Sequence, residues 1–137
     1  MKKRRMDEII RVDHAGEHGA IAIYKGQLSA LSLIGDKKTS SIISKMAEGE
    51  KTHAKEFDRL VKERKTRPTA LMPLWSLAGY TLGVISVIGG KDSVMACTEA
   101  VEDVIDKHYS DQIEELESSG KEQDILKTIK KFHAEEV

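Results

Sequence analysis

The 137-residue chain has the length of one ordinary domain, and 39% of its residues are hydrophobic while 33% are charged. This composition excludes a disordered or collagen-like protein, and a single cysteine, Cys97, excludes an internal disulfide and is typical of a reducing compartment. The formal net charge of −1 excludes an extended positively charged surface that would bind the phosphates of nucleic acid. We therefore expect residues 1–137 to form one domain that does not bind nucleic acid.

Helix is predicted almost throughout, because Ala, Leu, Glu, Lys and Ile dominate and no segment alternates with period two. Turn-forming or helix-breaking residues separate five segments, at Gly35-Asp36, Arg67-Pro68, Gly89-Gly90 and Ser118-Ser119-Gly120. The predicted helices cover about 7–33, 40–65, 71–88, 93–116 and 122 to the end of the chain.

The connections between these helices indicate the topology. Helices one and two are joined by a short turn, as are helices four and five, and a long crossover at about 66–90 lies between the two pairs. Two antiparallel pairs joined by one long crossover are typical of ferritin-like bundles. The predicted fold is therefore all-α, a ferritin-like four-helix bundle with a long crossover helix and an incomplete final helix.

The crossover is unusually apolar. Residues 68–90 contain no charged side chain, although Pro73, Gly79 and Gly83 interrupt the apolar run. We expect a helix that is buried in the domain or lies on a membrane surface, rather than one that spans a bilayer. The Gly79–Gly83 spacing permits a close approach to another helix, and Trp75 is expected to anchor the segment.

Each of the four long helical stripes that should face the core contains a carboxylate. These glutamates are Glu17, Glu50, Glu102 and Glu136. A lone carboxylate in a core costs several kcal/mol unless it is paired or binds a metal ion. No comparable number of lysines or arginines lies on the same stripes, so the pattern predicts a bound cluster of cations.

Spacing refines this prediction. Glu50 and His53 are three residues apart and emerge on one helix face, and carboxylate with imidazole suits iron or manganese. Glu17 precedes Glu50 by 33 residues and Glu102 precedes Glu136 by 34, which indicates a loose duplication around the crossover. Di-iron carboxylate bundles use one Glu from each of two helices and Glu-x-x-His from each of the others.

Other polar residues near these positions have two interpretations each. His14 either orients a ligand or faces water, and His18 and His133 are predicted to lie on the surface. Tyr109 falls on the same stripe as Glu102, so it is either a packed core residue or a carrier of protons and electrons near the metal.

Several segments match the motifs of one family in order along the chain. They are Arg-Val-Asp-His-Ala-Gly-Glu at 11–17, Tyr-Lys-Gly-Gln-Leu at 24–28, Glu-Lys-Thr-His at 50–53, Arg-Pro-Thr-Ala-Leu-Met-Pro-Leu-Trp at 67–75, Met-Ala-Cys-Thr at 95–98, Ala-Val-Glu at 100–102, His-Tyr at 108–109 and the glutamate at 136. With these segments the chain resembles the demethoxyubiquinone hydroxylase family, the di-iron monooxygenases of coenzyme Q biosynthesis, over nearly its whole length.

The resemblance implies a site and a reaction. The implied ligands of two iron ions are Glu17, Glu50, His53, Glu102 and Glu136, with Glu50 or Glu136 able to bridge the ions. His108 and Tyr109 would line the path of electrons and protons. The implied reaction is hydroxylation of the ring of a demethoxy-ubiquinone or ubiquinol with a polyprenyl tail, with O₂ as oxidant and NADH as reductant.

The resemblance also implies a location. Peripheral docking on a membrane is expected, because the substrate is extremely apolar and residues 68–90 are uncharged. In a bacterium this would be the cytoplasmic face of the inner membrane, and in a eukaryote the matrix face of the mitochondrial inner membrane. A second copy of the chain or other proteins of ubiquinone biosynthesis are the further partners to consider.

The chain departs from the family pattern in places. The family continues beyond Val137 with a second ligand histidine, which would fall at position 139, and a further long helix. His133 and Ala134 stand where Arg and Asp are usual, and His18 stands where a small apolar residue is usual. A fragment, a natural truncation and a decayed copy all fit this pattern. Two other functions stay open: another ferritin-like activity such as iron oxidation or peroxide scavenging, and non-catalytic binding of quinone, lipid or a partner protein.

Overall fold

Over residues 3–120 and 122–136, which a computed structural model describes, the protein forms five helices and no strand. The helices are α1 (Lys3–Ile34), α2 (Lys37–Glu63), α3 (Met72–Ile88), α4 (Lys91–Ser119) and α5 (Gln123–Glu136). The all-α prediction and the order of the five elements are confirmed. The predicted continuation of the last helix through Val137 lies outside the described residues.

The turn between α1 and α2 shows why two predicted boundaries shift. Gly35 adopts a left-handed φ of 74°, and the backbone closes α1 with the two hydrogen bonds of a Schellman motif. The side chain of Asp36 accepts a hydrogen bond of 3.0 Å from the N–H of Thr39 and so caps α2. As a result α2 begins at Lys37, earlier than predicted.

Helices α1 and α4 also extend beyond the predicted ranges. α1 begins at Lys3, and α4 continues to Ser119 because the chain leaves the helix only at Gly120, whose φ of 67° is left-handed. On the first half of α2 the buried apolar residues are Ile43 and Ala47. Ile42 and Met46, each one residue earlier in the chain, are only half-buried.

Helices α1, α2, α4 and α5 surround the core, and α3 crosses outside α1 and α4. α1 packs against α2, α3 and α4, whereas α4 packs against α5. α2 and α5 meet through side chains, since the ring of His53 stacks on that of Phe132. This arrangement confirms the ferritin-like bundle. The largest side chains that are fully buried are Tyr24, Tyr109, Phe57, Met6, Ile9, Ile10, Leu31, Ile43, Leu116 and Ile129.

Glycines allow α3 to lie very close to α1. A Cβ atom built on Gly26 would be 2.1 Å from the carbonyl oxygen of Tyr80, and one built on Gly83 would be 2.1 Å from that of Ile23. The indole N–H of Trp75 donates a hydrogen bond of 2.8 Å to a backbone carbonyl of α1. The close approach and the tryptophan anchor predicted from the sequence are therefore confirmed.

Most of the surface of α3 is exposed, because only Gly83, Ser86 and Val87 of this helix are buried. Its exposed large apolar residues are Leu74, Trp75, Leu77, Tyr80, Leu82, Ile85 and Ile88. Among the residues described, no helix has both the length and the hydrophobicity that crossing a bilayer requires. Of the two alternatives expected for this helix, burial in the domain is wrong, because contact with α1 and α4 covers only a narrow face of it, and docking on a membrane surface stays a prediction.

Candidate metal centre

Four of the predicted ligands meet between α1, α2 and α5. Glu17 comes from α1, Glu50 and His53 come from α2, and Glu136 is the last residue of α5. The spacing of three residues presents Glu50 and His53 on one helix face, as the sequence predicted. One donor atom of each residue lies within 4.8 Å of one from every other, and each side chain is at most 5% exposed.

The imidazole of His53 directs Nδ1 at the three carboxylates. This atom lies 3.2 Å from Oε1 of Glu136, 3.6 Å from Oε2 of Glu50 and 3.8 Å from Oε1 of Glu17. Ligand atoms bound at about 2.1 Å are separated by about 3.0 Å at an octahedral edge and by about 3.4 Å at a tetrahedral edge. The donor atoms are thus already close to the separations that a shared metal ion requires.

Unpaired polar atoms test whether a cation fits here. In the described part of the chain, five buried oxygen and nitrogen atoms of this cluster have no hydrogen-bond partner: Oε2 of Glu17, Oε2 of Glu50, Nδ1 of His53 and both carboxylate oxygens of Glu136. Buried polar atoms are normally hydrogen-bonded, and leaving one unpaired costs about 1–3 kcal/mol. Their convergence is the arrangement expected of ligands, so the residues present fit a transition metal.

The pKa values of the cluster residues also indicate that the buried carboxylates need a compensating positive charge. Burial raises the pKa of Glu50 and that of Glu136, and although His53 opposes this, both reach about 7. Burial lowers the pKa of His53, but the neighbouring carboxylates outweigh it and raise the value to about 12. Without metal, the cluster therefore holds protons that solvated groups would release, and a cation that binds must displace them.

The second nitrogen of His53 is held by a residue that sequence reasoning missed. Nε2 of His53 lies 2.7 Å from Oε2 of Glu135, and the ring stacks on Phe132 at a centroid distance of 4.1 Å. A carboxylate on the outer nitrogen fixes the orientation of a ligand imidazole and makes it more basic. Glu135 directly precedes the predicted ligand Glu136, and this adjacency is the feature of the sequence that could have indicated its role.

Glu102, the fifth predicted ligand, is not part of the four-residue group. Its Oε1 accepts a hydrogen bond of 2.5 Å from the hydroxyl of Tyr24, and its side chain is only half-buried. Burial raises the pKa of Tyr24, and the charges of Glu50, Glu136 and Glu17 raise it further. The phenol thus contacts Glu102 and senses the charge of the cluster, and metal binding by Glu102 stays a prediction.

The two predicted catalytic residues differ in position. The hydroxyl of Tyr109 is buried and donates a short hydrogen bond to Oε1 of Glu17, so Tyr109 is a packed core residue that contacts the cluster, and its role as a carrier of protons and electrons stays a prediction. His108 is exposed and lines a narrow cleft between α1 and α4 together with Tyr109 and Glu17. The cleft connects an exposed imidazole with the buried hydrogen bond.

His14 matches neither interpretation offered by the sequence. It is buried, yet its Nε2 lies 2.7 Å from Oδ1 of Asp58, a residue outside the four-residue group. His18 is half-buried and makes a similar contact of 2.8 Å with the same oxygen. These two histidines therefore form a separate cluster with Asp58.

The fold and the site together define a ferritin-like helical protein with a buried carboxylate–histidine cluster that fits a transition metal. The chain belongs to the family described as ubiquinone biosynthesis protein COQ7, whose model matches residues 4–137. The family resemblance stated from the sequence motifs is thereby confirmed.

Relatives from distant organisms match the chain along nearly its whole length. A Dictyostelium discoideum protein named NADPH-dependent 3-demethoxyubiquinone 3-hydroxylase, mitochondrial, is 44% identical over 138 residues, covering 100% of this chain and 62% of that protein. The Homo sapiens protein of the same name is 45% identical over 139 residues, covering 100% and 63%. The Rhodospirillum rubrum 3-demethoxyubiquinol 3-hydroxylase is 42% identical over 133 residues, covering 96% and 60%. The chain thus spans less than two thirds of the length of these relatives.

Proposed function

We propose that this protein is a di-iron monooxygenase that hydroxylates the ring of a demethoxy-ubiquinone or demethoxy-ubiquinol. The observation that carries the proposal is the convergence of Glu17, Glu50, His53 and Glu136 on one buried space. Family membership and the names of the relatives support the substrate class. Iron bound there would supply the reductive activation of O₂, and turnover would place one oxygen atom on the ring and release the other as water.

The reaction needs two electrons from a reduced nicotinamide nucleotide. The family resemblance implies NADH, whereas the names of the mitochondrial relatives specify NADPH. Both nucleotides deliver the two electrons that the reaction requires. The activity assay described below therefore compares NADH with NADPH.

The residues of the centre have distinct proposed roles. Glu17, Glu50, His53 and Glu136 hold the metal, and Glu135 orients His53 from outside. The two glutamates whose pKa burial raises to about 7 lose their protons when iron binds, so iron binding should strengthen as the pH rises through that range.

Glu102 is proposed as a further ligand. Its carboxylate accepts a hydrogen bond from the hydroxyl of Tyr24, whose pKa is raised by burial and by the charges of Glu50, Glu136 and Glu17, so exchange of that hydrogen bond would free the carboxylate to bind metal.

Tyr109 and His108 are proposed to move protons between the cleft and the centre. The Tyr109 hydroxyl holds its proton against Oε1 of Glu17, and burial followed by the charge of Glu17 raises the pKa of the phenol. The hydroxyl is therefore a stable donor and not a phenolate. His108 lines the same cleft and is exposed to water. The aromatic rings of Phe57 and Phe132 pack beside this region and help to exclude water from it.

We also propose that α3 docks on a membrane that carries the substrate. Its exposed surface includes Leu74, Leu77, Ile85 and Ile88, each more than half exposed. A helix with such a face binds a bilayer surface in proportion to the apolar area that it buries. A quinone with a polyprenyl tail is dissolved in the same bilayer, so docking places the protein at its substrate. The proposed location is the inner membrane, on the cytoplasmic side in a bacterium or the matrix side in a mitochondrion.

Iron content and product formation test the proposed reaction together. The protein is loaded with Fe(II) without oxygen, desalted, and then given a demethoxy-ubiquinone analogue, O₂ and each nicotinamide nucleotide in turn. We expect about two irons per chain and a hydroxylated ring, both lost in Glu50→Ala. Glu48→Ala is the matched control, because Glu48 lies on α2 but its side chain is 70% exposed. Glu102→Ala should also lower the iron content if Glu102 is a ligand.

The outcomes separate the candidate functions. Absence of iron from both the unmodified chain and Glu50→Ala would refute the metal centre. Iron that binds and oxidises without any hydroxylated product would refute the hydroxylase and favour a ferritin-like iron oxidase.

Membrane docking is tested by flotation with liposomes of mixed zwitterionic and anionic lipid. The double variant Leu74→Ser/Leu77→Ser should float much less than the unmodified protein. Val104→Ser is the control, because Val104 is 57% exposed and lies on α4. Equal flotation of the double variant and the unmodified protein would refute docking through α3.

A further inference from the structure

A second group of metal-binding side chains lies outside the centre described above. His14 and His18 are separated by one helical turn on α1, and Asp58 faces them from α2. Both imidazoles direct Nε2 at the same Oδ1 of Asp58, at 2.7 Å and 2.8 Å, and the ring centroids are 4.5 Å apart. The three donor atoms therefore converge on one point between the two helices.

The types of residue suit a small, borderline-soft divalent ion. Histidines four residues apart on a helix bind zinc as a pair, and a carboxylate oxygen completes many such sites. The side chain of His14 is buried, and its Nε2 is directed at the oxygen of Asp58. Neither histidine belongs to the group formed by Glu17, Glu50, His53 and Glu136.

The geometry requires only a small adjustment. Ligands of a tetrahedral zinc ion with bonds of about 2.05 Å are separated by about 3.4 Å, so Oδ1 of Asp58 must retreat by about 0.6 Å. The side chain of Asp58 is 52% exposed, so it has room to move toward solvent, whereas that of His14 is only 9% exposed and is held by packing. The half-buried position of His18 leaves one side open for water to complete the coordination.

We propose that His14, His18 and Asp58 form a second metal site, which binds one Zn²⁺ or a similar divalent ion with water as the remaining ligand. The ion links α1 to α2 beside the main centre and takes the place of the protons that now join the imidazoles to Asp58. The site is independent of the proposed hydroxylase function, since none of its residues belongs to the four-residue cluster.

Zinc binding to a protein whose main centre has been removed tests this proposal. Glu50→Ala/Glu136→Ala eliminates two ligands of the main cluster, and the metal-free variant is titrated with Zn²⁺ by calorimetry after its helix content has been checked. We expect one Zn²⁺ per chain and a higher melting temperature with zinc. Adding His18→Ala should weaken binding by at least about tenfold, and Asp58→Asn should weaken it in the same direction. His133→Ala is the matched control, because His133 is a half-exposed histidine paired with Asp106 on another helix.

Two results would overturn the proposal. One is a folded double variant that binds no Zn²⁺, and the other is binding that His18→Ala and His133→Ala change equally, which would indicate unspecific histidine binding. If the double variant does not fold, His18→Ala is compared with the otherwise unmodified protein. The zinc content at saturation should then fall by one ion per chain, and an unchanged content refutes the site.

Discussion

The contact between α1 and α3 leads to a quantitative prediction for Gly83→Ala. The new Cβ would lie 2.1 Å from the carbonyl oxygen of Ile23 and 2.9 Å from the backbone nitrogen of Gln27. A carbon–oxygen contact needs about 3.3 Å, so α3 must move outward by about 1 Å, because neither backbone atom can rotate away. Overpacking of this kind costs up to about 3 kcal/mol, and the better helix propensity of Ala returns about 1 kcal/mol. The expected net loss is about 2 kcal/mol of unfolding free energy.

Urea unfolding followed by far-ultraviolet circular dichroism measures this loss, and the melting temperature should fall by about 6–8 °C. Gly49→Ala is the matched control, because Gly49 is also inside a helix but a Cβ built on it meets no atom within 4 Å. That variant should gain about 0.5–1 kcal/mol from helix propensity alone. If Gly83→Ala is as stable as Gly49→Ala, α1 and α3 are farther apart than in the structure, and the predicted steric clash at Gly83 is refuted.

Three further predictions concern the metal centre. Because the raised pKa values of Glu50 and Glu136, about 7, exceed the unfolded value of 4.5, the metal-free folded state binds extra protons. Its stability should therefore fall as the pH rises from about 5 to about 8, and the raised pKa of His53 continues the fall above 6.5. A bound divalent ion should reverse this slope, and a metal-free urea midpoint that rises with pH in this interval would contradict the prediction. Glu135→Gln should weaken Mn²⁺ binding by about tenfold without changing its stoichiometry in a calorimetric titration, and an unchanged affinity would show that the contact with Nε2 does not orient the ring. Tyr109→Phe should keep the iron content but lower the rate of hydroxylation by about 100-fold or more, and loss of iron instead would show that its hydroxyl acts only by holding the α1 glutamate in place.

Much of the fold and four members of the carboxylate–histidine cluster could be predicted because both depend on periodicity. A carboxylate on an apolar stripe is recognisable without coordinates, since burial without a partner is costly. Short turns make paired helices antiparallel, so Glu17 and Glu50 had to lie near one another once both were on inner faces. The left-handed glycines that end α1 and α4 were likewise visible as turn residues.

The remaining details depend on tertiary contacts that no spacing reveals. Glu102 lies on the correct stripe, but the hydroxyl of Tyr24 holds it, and only the packed bundle shows this. Glu135 is 43% exposed, so a search for buried carboxylates passes over it. The outward face of α3 was ambiguous because an uncharged sequence suits a buried helix and a membrane-facing helix equally well.

Charge balance argues for two divalent ions over one. Glu17, Glu50 and Glu136 supply three negative charges, and Glu102 would supply a fourth once the hydroxyl of Tyr24 released it. Two divalent ions neutralise four carboxylates and leave His53 as a neutral ligand, whereas a single ion leaves two buried charges that only protons could offset. The raised pKa values show that the metal-free cluster already uses protons in this way. A centre that saturates at one ion should therefore retain protons at neutral pH, whereas a centre that takes two should release them on loading, and proton release during a metal titration distinguishes the two cases.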